Sequence, residues 1–470
     1  MPNQEIITLS ASAQRRLIGR REISPVELLE ACLQRFEQLN PSLNAIVALS
    51  DQALDEARVL EKRLAAGEDP GLLCGLPVGI KDVTPVAGLR TTFGSPLYAD
   101  YVPAEDAEVV RRLRQAGAII LGKTNCPEFA AGGNTFNEVY GRTRNPWNPA
   151  LSAGGSTGGG AVGLATGMIS LAEGTDLGGS LRIPASFCGM VGLRPSPGLV
   201  PTIPSDYLWD NLQVTGPMAR TAEDVALMLQ AIAGPSANWP YSQPNAGRDF
   251  IAAAAKGIVK NTRIAYCPDI AGIGVDVELE TICRRAVLDL NKEGAEVEEI
   301  ALDLEFGRKA FLALRGYWMV AHHYSRLHQL EKLGENVAGN IRAGLKVTTE
   351  ELGAAEEARG KIRERFAHLF EKYDYVLTPC MAVPPFPVEQ NYPPTIAGKA
   401  MTNYVDWIAP TFVLSLTGLP VACVPAGLSR QRLPVGLQIV GRPFGEEEVL
   451  ALAKVVQGLH PIGLPEVAIA

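Results

Sequence analysis

Residues 154–189, GGSTGGGAVGLATGMISLAEGTDLGGSLRIPASFCG, combine two glycine-rich loops with a run of small apolar residues. The first loop, residues 152–160, leads into residues 161–172, whose small side chains predict a helix that packs closely against its neighbours. The second loop places Ser180 directly after a pair of glycines. Glycines before a serine let the backbone approach a ligand and let their N–H groups converge on one point. This stretch therefore predicts a close-packed core element between two loops suited to chemistry.

Strands and helices alternate on either side of this stretch. Residues 75–83, GLPVGIKDV, and residues 118–121 read as short buried strands, and residues 105–116 between them have the periodicity of an amphipathic helix. Strand-like runs return near the C-terminus, at residues 375–377 and in PVACVPAGL and LPVGLQIVG. This alternation predicts an α/β fold in which a central mixed β-sheet is covered by helices on both faces.

The chain has no low-complexity linker and no internal repeat, so we expect one large domain over residues 1–470. The predicted parts of that domain are N-terminal helices over 1–66, a core over 75–235, a charged helical excursion over 250–370, and strands that rejoin the sheet over 374–460. In the first part, Ser24-Pro25-Val26-Glu27 is a capping box with proline at the first helical position, which predicts a helix start.

The composition excludes several classes of protein. Of the 470 residues, 47% are hydrophobic and 20% are charged, which is typical of a globular chain and excludes disordered and fibrous proteins. The net charge of −8 and the lack of a basic stripe argue against a nucleic-acid partner. The N-terminus lacks a continuous apolar core and no apolar run reaches about 18 residues. We therefore expect no signal peptide, no membrane span and a cytoplasmic location.

The cysteine and histidine patterns give no support for a metal site. Eight cysteines are scattered without a CxxC pair or a Cys/His cluster, so reduced, buried thiols are expected. His322 and His323 are adjacent, and adjacent residues do not share a helix face.

Two short motifs suggest other chemistries. Residues 117–124, GAIILGKT, match the phosphate-loop pattern GxxxxGK[ST], but their four middle residues read as a strand and leave no loop to hold a phosphate. Residues 154–158, GGSTG, match the nucleophile elbow GxSxG, which needs a histidine as base. None of the five histidines stands in a distinctive loop, and ordinary surface or core positions are favoured for them: His322, His323, His328, His368 and His460.

Lys81, Ser156 and Ser180 form a third candidate constellation. A serine hydroxyl is a weak nucleophile until a base removes its proton, and a desolvated lysine can be that base. The lysine pKa must then fall from about 10.4 to about 7–8. Lys81 ends a predicted buried strand, where desolvation would act. Taken alone, Lys81 could equally be a surface lysine beside Asp82, and Ser180 could be the N-cap of a glycine turn.

Around these residues the sequence resembles the amidase signature family. The resemblance rests on several motifs in the family's order: GLPVGIKDV (75–83), AIILGKTNCPEFA (118–130), RNPWNP (144–149), GGSTGGG (154–160), GTDLGGSLRIPASFCG (174–189) and VTGPMARTAEDVALML (214–229). The spacings also fit, with 75 residues from Lys81 to Ser156 and 24 more to Ser180. The match is close from Gly75 to about Met218 and looser over the C-terminal strands.

The resemblance implies a role for each residue of the constellation. Ser180 would be the acyl-enzyme nucleophile, and Lys81 would be a general base that starts neutral. Ser156, joined to Gly155 by a cis peptide bond, would relay the proton between them. The family needs no metal or organic cofactor.

Further residues would complete the site by the same resemblance. The oxyanion would be held by four backbone N–H groups, those of Leu177, Gly178, Gly179 and Ser180. The supporting residues would be Thr175 and Asp176 beneath the loop, Arg182 paired with a carboxylate, and Ala130 in the pocket wall. Many members have a second serine where this chain has Thr157. We also hypothesise that Ser152 hydrogen-bonds to Lys81.

The sequence therefore predicts a hydrolase whose partners are a small-molecule amide and water. Aromatic residues in three segments are candidates for the substrate pocket, with burial in the core as their alternative: Phe136, Tyr140, Tyr207, Trp209, Phe311, Tyr317, Trp318 and Tyr324. If several line the pocket, the substrate would be an aryl or apolar acyl amide, an anilide or a carbamate. Esterase and urethanase side activities follow from the same acyl-enzyme chemistry.

The sequence is also consistent with a second function. The chain also resembles the glutaminase (amidase) subunit of glutamyl-tRNA amidotransferase, which releases ammonia from glutamine inside a complex of several chains. A free-standing amidase is favoured by the stretches IPSDYLWDNLQ and PTFVLSLTGLPVACVPAGL. The N-terminal helices could serve a homodimer, which the family often forms.

Overall fold

An eleven-stranded mixed β-sheet forms the centre of the protein. The computed structural model describes residues 3–257 and 259–467. The strands of the described chain are β1 (Ile46–Leu49), β2 (Pro77–Lys81), β3 (Ile119–Thr124), β4 (Phe136–Asn137), β5 (Gly141–Arg142), β6 (Leu171–Asp176), β7 (Val191–Arg194), β8 (Val214–Ala219), β9 (Arg263–Tyr266), β10 (Glu296–Glu299), β11 (Tyr375–Pro379), β12 (Thr395–Ile396), β13 (Lys399–Ala400), β14 (Val421–Leu428) and β15 (Pro434–Val440).

Helices flank this sheet. They are α1 (Asn3–Thr8), α2 (Ala11–Gly19), α3 (Pro25–Leu43), α4 (Ala53–Ala65), α5 (Glu108–Gln115), α6 (Gly158–Ala165), α7 (Arg182–Cys188), α8 (Ala222–Ile232), α9 (Phe250–Lys256), α10 (Val277–Asp289), α11 (Phe306–His322), α12 (Glu335–Gly344), α13 (Thr349–Lys372), α14 (Ala409–Ser415) and α15 (Glu446–Leu459). Short 3₁₀ segments lie at Pro96–Tyr98, Glu128–Ala130, Leu290–Glu293, Tyr324–Lys332 and Asp406–Ile408. Within the described residues, no helix is both long and apolar enough to cross a membrane.

The strand order is β1-β3-β2-β6-β8-β7-β14-β15-β11-β9-β10. Parallel pairs (β3 with β2, β2 with β6, β11 with β9, β9 with β10) are combined with antiparallel pairs in the middle and at one edge. The predicted fold class, an α/β domain with a central mixed sheet covered by helices, is confirmed. The parallel pair β2 and β6 matters most here, because parallel strands end at the same edge of a sheet.

Two local predictions hold at the level of single residues. Ser24 and Glu27 form the expected capping box at the start of α3, with reciprocal hydrogen bonds of 3.1 and 2.7 Å. Residues 119–124 form strand β3 and are fully buried, so the phosphate-loop match at 117–124 contains no loop.

The helix predicted over residues 161–172 extends too far towards the C-terminus. Helix α6 stops at Ala165, because Gly167 adopts a left-handed conformation with φ of 76° that a helix cannot continue. The chain then turns, Ser170 N–H donates to the carbonyl of Pro77 at 2.9 Å, and β6 begins at Leu171. The small apolar residues there serve a strand rather than a helix.

The descriptions of two chain segments also need correction, although the division into segments stays a prediction. The N-terminal part, 1–66, contains strand β1, which pairs antiparallel with β3 at the edge of the sheet. The excursion over 250–370 contains β9 and β10, which extend the opposite end. These strands have only four residues each, too short for a periodicity to reveal. The C-terminal strands β11, β14 and β15 lie in the same sheet.

Helix α6 packs against its neighbours at backbone distance. All eight of its residues are buried. A Cβ atom added to Gly159 would lie 2.3 Å from the backbone N of Asn125 and 2.4 Å from the carbonyl oxygen of Ala45. Glycine is therefore required at this position, since neither contact involves a side chain that could move aside.

We predict that Gly159→Ala destabilises the fold by about 1–3 kcal/mol, the usual effect of overpacking a tight core. Urea unfolding followed by circular dichroism measures it. The matched control is Gly360→Ala in the interior of α13, where an added Cβ meets nothing within 4 Å. That change should stabilise the fold by roughly 0.5–1 kcal/mol through helix propensity. Equal effects of the two substitutions would contradict the packing described for α6.

Candidate active site

Parallel strands β2 and β6 bring the first two parts of the site together. Their register pairs Ile80 with Glu173, so Lys81 at the end of β2 lies beside Thr175 near the end of β6. The glycine-rich loop before α6 and the loop after β6 then supply Ser156 and Ser180. Three segments that are separate in sequence, at Lys81, at Ser156 and at 175–180, therefore meet at one edge of the sheet.

Lys81 is fully buried, and its ammonium group has two side-chain partners. Its Nζ donates to Ser156 Oγ at 2.7 Å and to Thr175 Oγ1 at 2.9 Å. Burial lowers the pKa of Lys81 to about 8, against the opposing influence of Cys126, Glu173 and Asp176. The predicted contact of Ser152 with Lys81 is wrong. Thr175 occupies that position, and the Ser152 hydroxyl donates to Asn134 Oδ1 at 2.7 Å.

A second group of buried charges lies behind Lys81, and sequence reasoning missed it. Glu173 accepts from the backbone N–H of Lys81 at 3.1 Å and from Thr84 Oγ1 at 3.0 Å, and burial raises its pKa. Lys123 Nζ lies 3.9 Å from Asp82, and burial lowers the pKa of this lysine to about 8. The only sequence signal was that charged residues stand inside apolar strand patterns.

The glycine-rich loop holds Ser156 rigidly. The peptide bond between Gly155 and Ser156 is cis, as the resemblance implied. Gly155 has no room for a side chain, because a Cβ would lie 2.8 Å from the carbonyl oxygen of Gly132. The N–H of Thr157 donates to the carbonyl of Ser180 at 3.2 Å, which ties this loop to the next one. Ser156 is fully buried, whereas Ser180 is partly accessible.

The loop after β6 leaves three N–H groups without a partner in the described chain: those of Leu177, Gly178 and Ser180. Gly179 differs from the prediction. Its N–H already donates to Asp176 Oδ1 at 2.9 Å, so it is not a free oxyanion donor. Gly179 has a φ of 122°, and this turn directs its N–H back onto the carboxylate.

Asp176 is the anchor of that loop. Besides Gly179, it accepts from the N–H of Leu181 at 3.1 Å, from Arg182 Nη2 at 2.9 Å, and from Arg194 Nη1 at 3.4 Å. All three charged side chains are fully buried. Burial alone would raise the pKa of Asp176, but the two guanidinium groups and the hydrogen bonds hold it well below its usual range.

Arg182 connects this loop to the C-terminal strands. Its Nη1 donates to the carbonyl of Thr411 and to Gln438 Oε1, each at 2.8 Å, and Nη2 donates to Ser415 Oγ at 2.8 Å. A planar guanidinium can make several such bonds at once, which fixes the start of α7 relative to α14 and β15.

Two neighbouring cavities, one of them lined by Ser180, share part of their walls. The smaller one, about 460 Å³ with the open space at its mouth, includes Ser180, Leu177, Gly178 and Trp318 in its wall. The larger one, about 810 Å³ with its open mouth, extends past Phe93 and the loop at 201–206. Ala130 lines both cavities, as does Thr175. Phe129 and Ala130 both have positive φ, 46° and 59°, which aims this backbone segment into the cavities at a cost of about 1–3 kcal/mol per residue.

Most of the aromatic residues predicted as candidates for the substrate pocket do not line the two cavities. Of the eight, Trp318 alone lines these cavities within the described chain, and the pattern missed Phe93 and Phe129. Phe311 stacks on Phe412, with ring centroids 4.1 Å apart, beneath the Gly178 loop. The remaining six lie outside both walls: Phe136, Tyr140, Tyr207, Trp209, Tyr317 and Tyr324. A helix of mixed burial does not reveal which aromatic faces a cavity and which faces the core.

The histidine prediction needs a correction too. His322 and His323 both line the larger cavity, because α11 ends at His322 and the chain turns there. His322 Nε2 lies 3.3 Å from Asp210 Oδ2, and burial lowers the pKa of His323 to about 3. No histidine of the described chain hydrogen-bonds to Ser156 or Ser180, so the geometry gives the GxSxG elbow no base.

Comparison with known proteins settles the family. The family model described as Amidase matches residues 27–450, which is most of the chain. The chain belongs to the amidase signature family. An acylamidase of Rhodococcus erythropolis is 36% identical over 469 residues, covering 98% of this chain and 97% of that protein. A glutamyl-tRNA(Gln) amidotransferase subunit of Moorella thermoacetica is 35% identical, covering 96% of each.

The solved structures agree with this assignment. A bacterial aryl acylamidase of the amidase signature family superposes with a TM-score of 0.90 at 27% identity, covering 97% of each chain. The protein is therefore an amide hydrolase that cleaves a C–N bond. This amidase is similar over nearly its whole length both to acylamidases and to one chain of an amidotransferase.

We predict that Asp176→Asn lowers the free energy of unfolding by about 3–5 kcal/mol, because two buried guanidinium groups lose their shared carboxylate. Thermal or urea unfolding measures this loss. The control is Asp55→Asn, which breaks an exposed pair with Arg58 whose side chains are 79% and 56% accessible. That change should stay below about 1 kcal/mol. A similarly small effect at Asp176 would show that this network does not hold the loop.

Proposed function

We propose that this amidase hydrolyses carboxylic amides through an acyl-enzyme on Ser180, with Ser156 as proton relay and Lys81 as general base. The observation that carries the proposal is the 2.7 Å hydrogen bond between Lys81 Nζ and Ser156 Oγ, next to Thr175, which binds the same Nζ and lines the cavity that contains Ser180. The lowered pKa of Lys81, about 8, leaves a useful fraction neutral near physiological pH.

Proton movement in the first step follows from this geometry. Neutral Lys81 accepts the proton of Ser156 while Ser156 accepts the proton of Ser180, whose Oγ attacks the amide carbon. In the described residues the Ser180 hydroxyl makes no hydrogen bond to Ser156. Catalytic hydrogen bonds often form fully only when substrate is bound, so the relay requires the Ser180 hydroxyl to turn onto Ser156 in the substrate complex.

The negative charge that develops on the carbonyl oxygen then needs hydrogen-bond donors. The free N–H groups of Leu177, Gly178 and Ser180 are not engaged by the Asp176 carboxylate that holds Gly179, and they support an oxyanion hole. One such donor contributes about 3–4 kcal/mol to transition-state stabilisation. The supporting roles we assign to Thr175, Asp176 and Arg182 are to hold Lys81 and this loop in place.

Collapse of the tetrahedral intermediate releases the amine. Ser156 gives its proton to the leaving nitrogen and regains one from Lys81, so that ammonia or an amine departs and Lys81 is neutral again. Water then attacks the ester of Ser180 by the same relay and releases the carboxylate. An ester or a carbamate forms the same kind of intermediate, so esterase and urethanase side activities are part of the proposal.

The cavity walls support an aryl or apolar acyl amide as substrate. The wall around Ser180 includes the apolar side chains of Phe129, Trp318, Met319 and Ile408 beside polar groups such as Gln213 and Arg315. Apolar walls favour a substrate that buries an aromatic or aliphatic group. The acylamidase relatives point the same way.

A glutaminase subunit is the second candidate. Its support is the 35% identity, over almost the full length, with one chain of an amidotransferase. The two candidates differ in a testable way, because an amidotransferase subunit would act in a complex with other chains. Size-exclusion chromatography of the purified chain, with glutaminase and anilide assays on the same fractions, separates them and also tests the predicted homodimer.

We predict that a fluorophosphonate forms its adduct on Ser180, located by peptide mass spectrometry. The rate of labelling should rise with pH to a plateau above about 8, falling about tenfold per unit below it, because only neutral Lys81 can accept the proton. Lys81→Met should slow the reaction by about 10⁴-fold, as loss of a catalytic base does elsewhere. An adduct on Ser156, or a pH-independent rate, would refute the assignment.

We predict that kcat/KM for a 4-nitroanilide with an aliphatic or aryl acyl group exceeds that for malonamate by at least about 10- to 100-fold, the range that a hydrophobic pocket provides for a few methylene groups. Release of 4-nitroaniline and of ammonia measures the two rates. Glutamine serves as the third substrate. Preference for malonamate would reject the apolar pocket, and preference for glutamine would favour the second candidate.

A further inference from the structure

Arg315 is a buried cation at the wall of the Ser180 cavity, and the proposed mechanism does not use it. It lies on α11, one turn before Trp318 and Met319, so the three side chains share one helix face. Only 8% of Arg315 is exposed. A buried positive charge of this kind needs a compensating partner.

The protein supplies hydrogen bonds to Arg315 but no counter-charge. Its Nε donates to Asn340 Oδ1 at 3.1 Å and its Nη2 to the hydroxyl of Tyr404 at 2.9 Å. Both partners are neutral groups. No carboxylate of the described residues comes within 4 Å of the guanidinium, in contrast to Arg182 and Arg194, which share Asp176.

One of the three guanidinium nitrogens of Arg315 is free to bind a ligand. Nη1 of Arg315 has no hydrogen-bond partner in the described part of the chain, and it is not among the polar atoms sealed away from free space. Buried Arg220 also lacks a carboxylate at that distance, but its guanidinium donates to three backbone carbonyls and lines neither cavity. Arg315 therefore combines three features: burial, an uncompensated charge, and a free donor at the cavity that holds Ser180.

An uncompensated buried guanidinium is costly, and it is best stabilised by an anion with two oxygens in one plane. Asn340 and Tyr404 hold the guanidinium from the protein side. Asn340 Nδ2 also donates to the Tyr404 hydroxyl at 2.7 Å, so the three groups brace one another. Such a brace keeps the guanidinium plane fixed while one donor stays open to a ligand.

We propose that Arg315 is a specificity-determining residue that binds a carboxylate of the substrate. The inference rests on the proposed function and deepens it: the preferred amide buries an apolar or aryl group beside Ser180 and carries a carboxylate at its far end. The carboxylate belongs either to the acyl side or to the amine side of the scissile bond. Malonamate carries a carboxylate, but it has no apolar group to contact the cavity wall between Ser180 and Arg315.

Paired substrates test the proposal on each side of the bond. On the acyl side, the mono-4-nitroanilide of glutaric acid is compared with 5-methylhexanoyl-4-nitroanilide, in which an isopropyl group replaces the carboxylate. On the amine side, 4-(pentanoylamino)benzoate is compared with pentanoyl-4-isopropylanilide. We expect the carboxylate member of one pair to have the higher kcat/KM, by about 10- to 100-fold, the usual range for a charged hydrogen bond.

Variants then assign that preference to Arg315. Arg315→Met should remove the 10- to 100-fold advantage, measured as the ratio of kcat/KM within the pair, and Arg315→Lys should retain part of the advantage. The control is Arg284→Met on α10, a half-buried residue that pairs with Glu280 and Glu299 and lines neither cavity, which should leave both members unchanged. Equal kcat/KM within both pairs, or an equal loss for both members in Arg315→Met, would overturn the proposal.

A measurement without variants keeps the proposal testable if Arg315→Met does not fold. On the unmodified enzyme, the dianionic product glutarate should inhibit at least about tenfold more strongly than 5-methylhexanoate if the carboxylate lies on the acyl side. On the amine side, 4-aminobenzoate should likewise inhibit more strongly than 4-isopropylaniline. No difference in either pair would overturn the proposal.

Failure of this inference is distinguishable from failure of the proposed function. If neutral anilides are hydrolysed through Ser180 but neither pair shows a carboxylate preference, the Arg315 inference alone fails. If no anilide is hydrolysed but glutamine is, the apolar-amide proposal fails. The effect of Arg315→Met on glutamine, which carries its own carboxylate, then decides the inference: a 10- to 100-fold loss supports it and an unchanged rate overturns it.

Discussion

The exclusion of water from Lys81 is the constraint on which the rest of the structure depends. A lysine can serve as a base near neutral pH only if its ammonium form is destabilised, and burial at the end of β2 lowers its pKa to about 8. The surrounding architecture serves this condition. Strand β6 supplies Thr175 as a neutral partner, the glycine-rich loop supplies Ser156, and Lys81 is left with no accessible surface.

The loop that carries Ser180 depends on the opposite kind of electrostatics. Here a buried carboxylate, Asp176, is kept fully charged by Arg182 and Arg194 and by backbone N–H groups of the loop itself. The same edge of one sheet thus contains a lysine whose pKa is lowered and an aspartate that is held ionised. One environment favours the neutral form of a titratable group and the other favours the charged form. This is the usual way in which a protein separates a base from a structural charge.

This division explains how one framework can serve several amidases. The elements that hold Lys81, Ser156 and Ser180 come from β2, β6 and the two glycine-rich loops. The walls of the cavities come from other parts: α11, the segment around Phe129, and the loop at 201–206. Acylamidases and amidotransferase chains resemble this protein over nearly their whole length, so the shared fold does not distinguish between their substrates. The fold alone does not choose the substrate.

The sequence by itself determined the fold class, the start of α3, the strand nature of residues 119–124 and the identity of the triad candidates, because these depend on local patterns and on motif spacing. Tertiary structure alone decided which residues surround them. It replaced Ser152 by Thr175 as the partner of Lys81, engaged the N–H of Gly179 with Asp176, and left Arg315 without a carboxylate. Such contacts join residues that a local pattern does not relate, and their geometry follows from packing rather than from any periodicity in the chain.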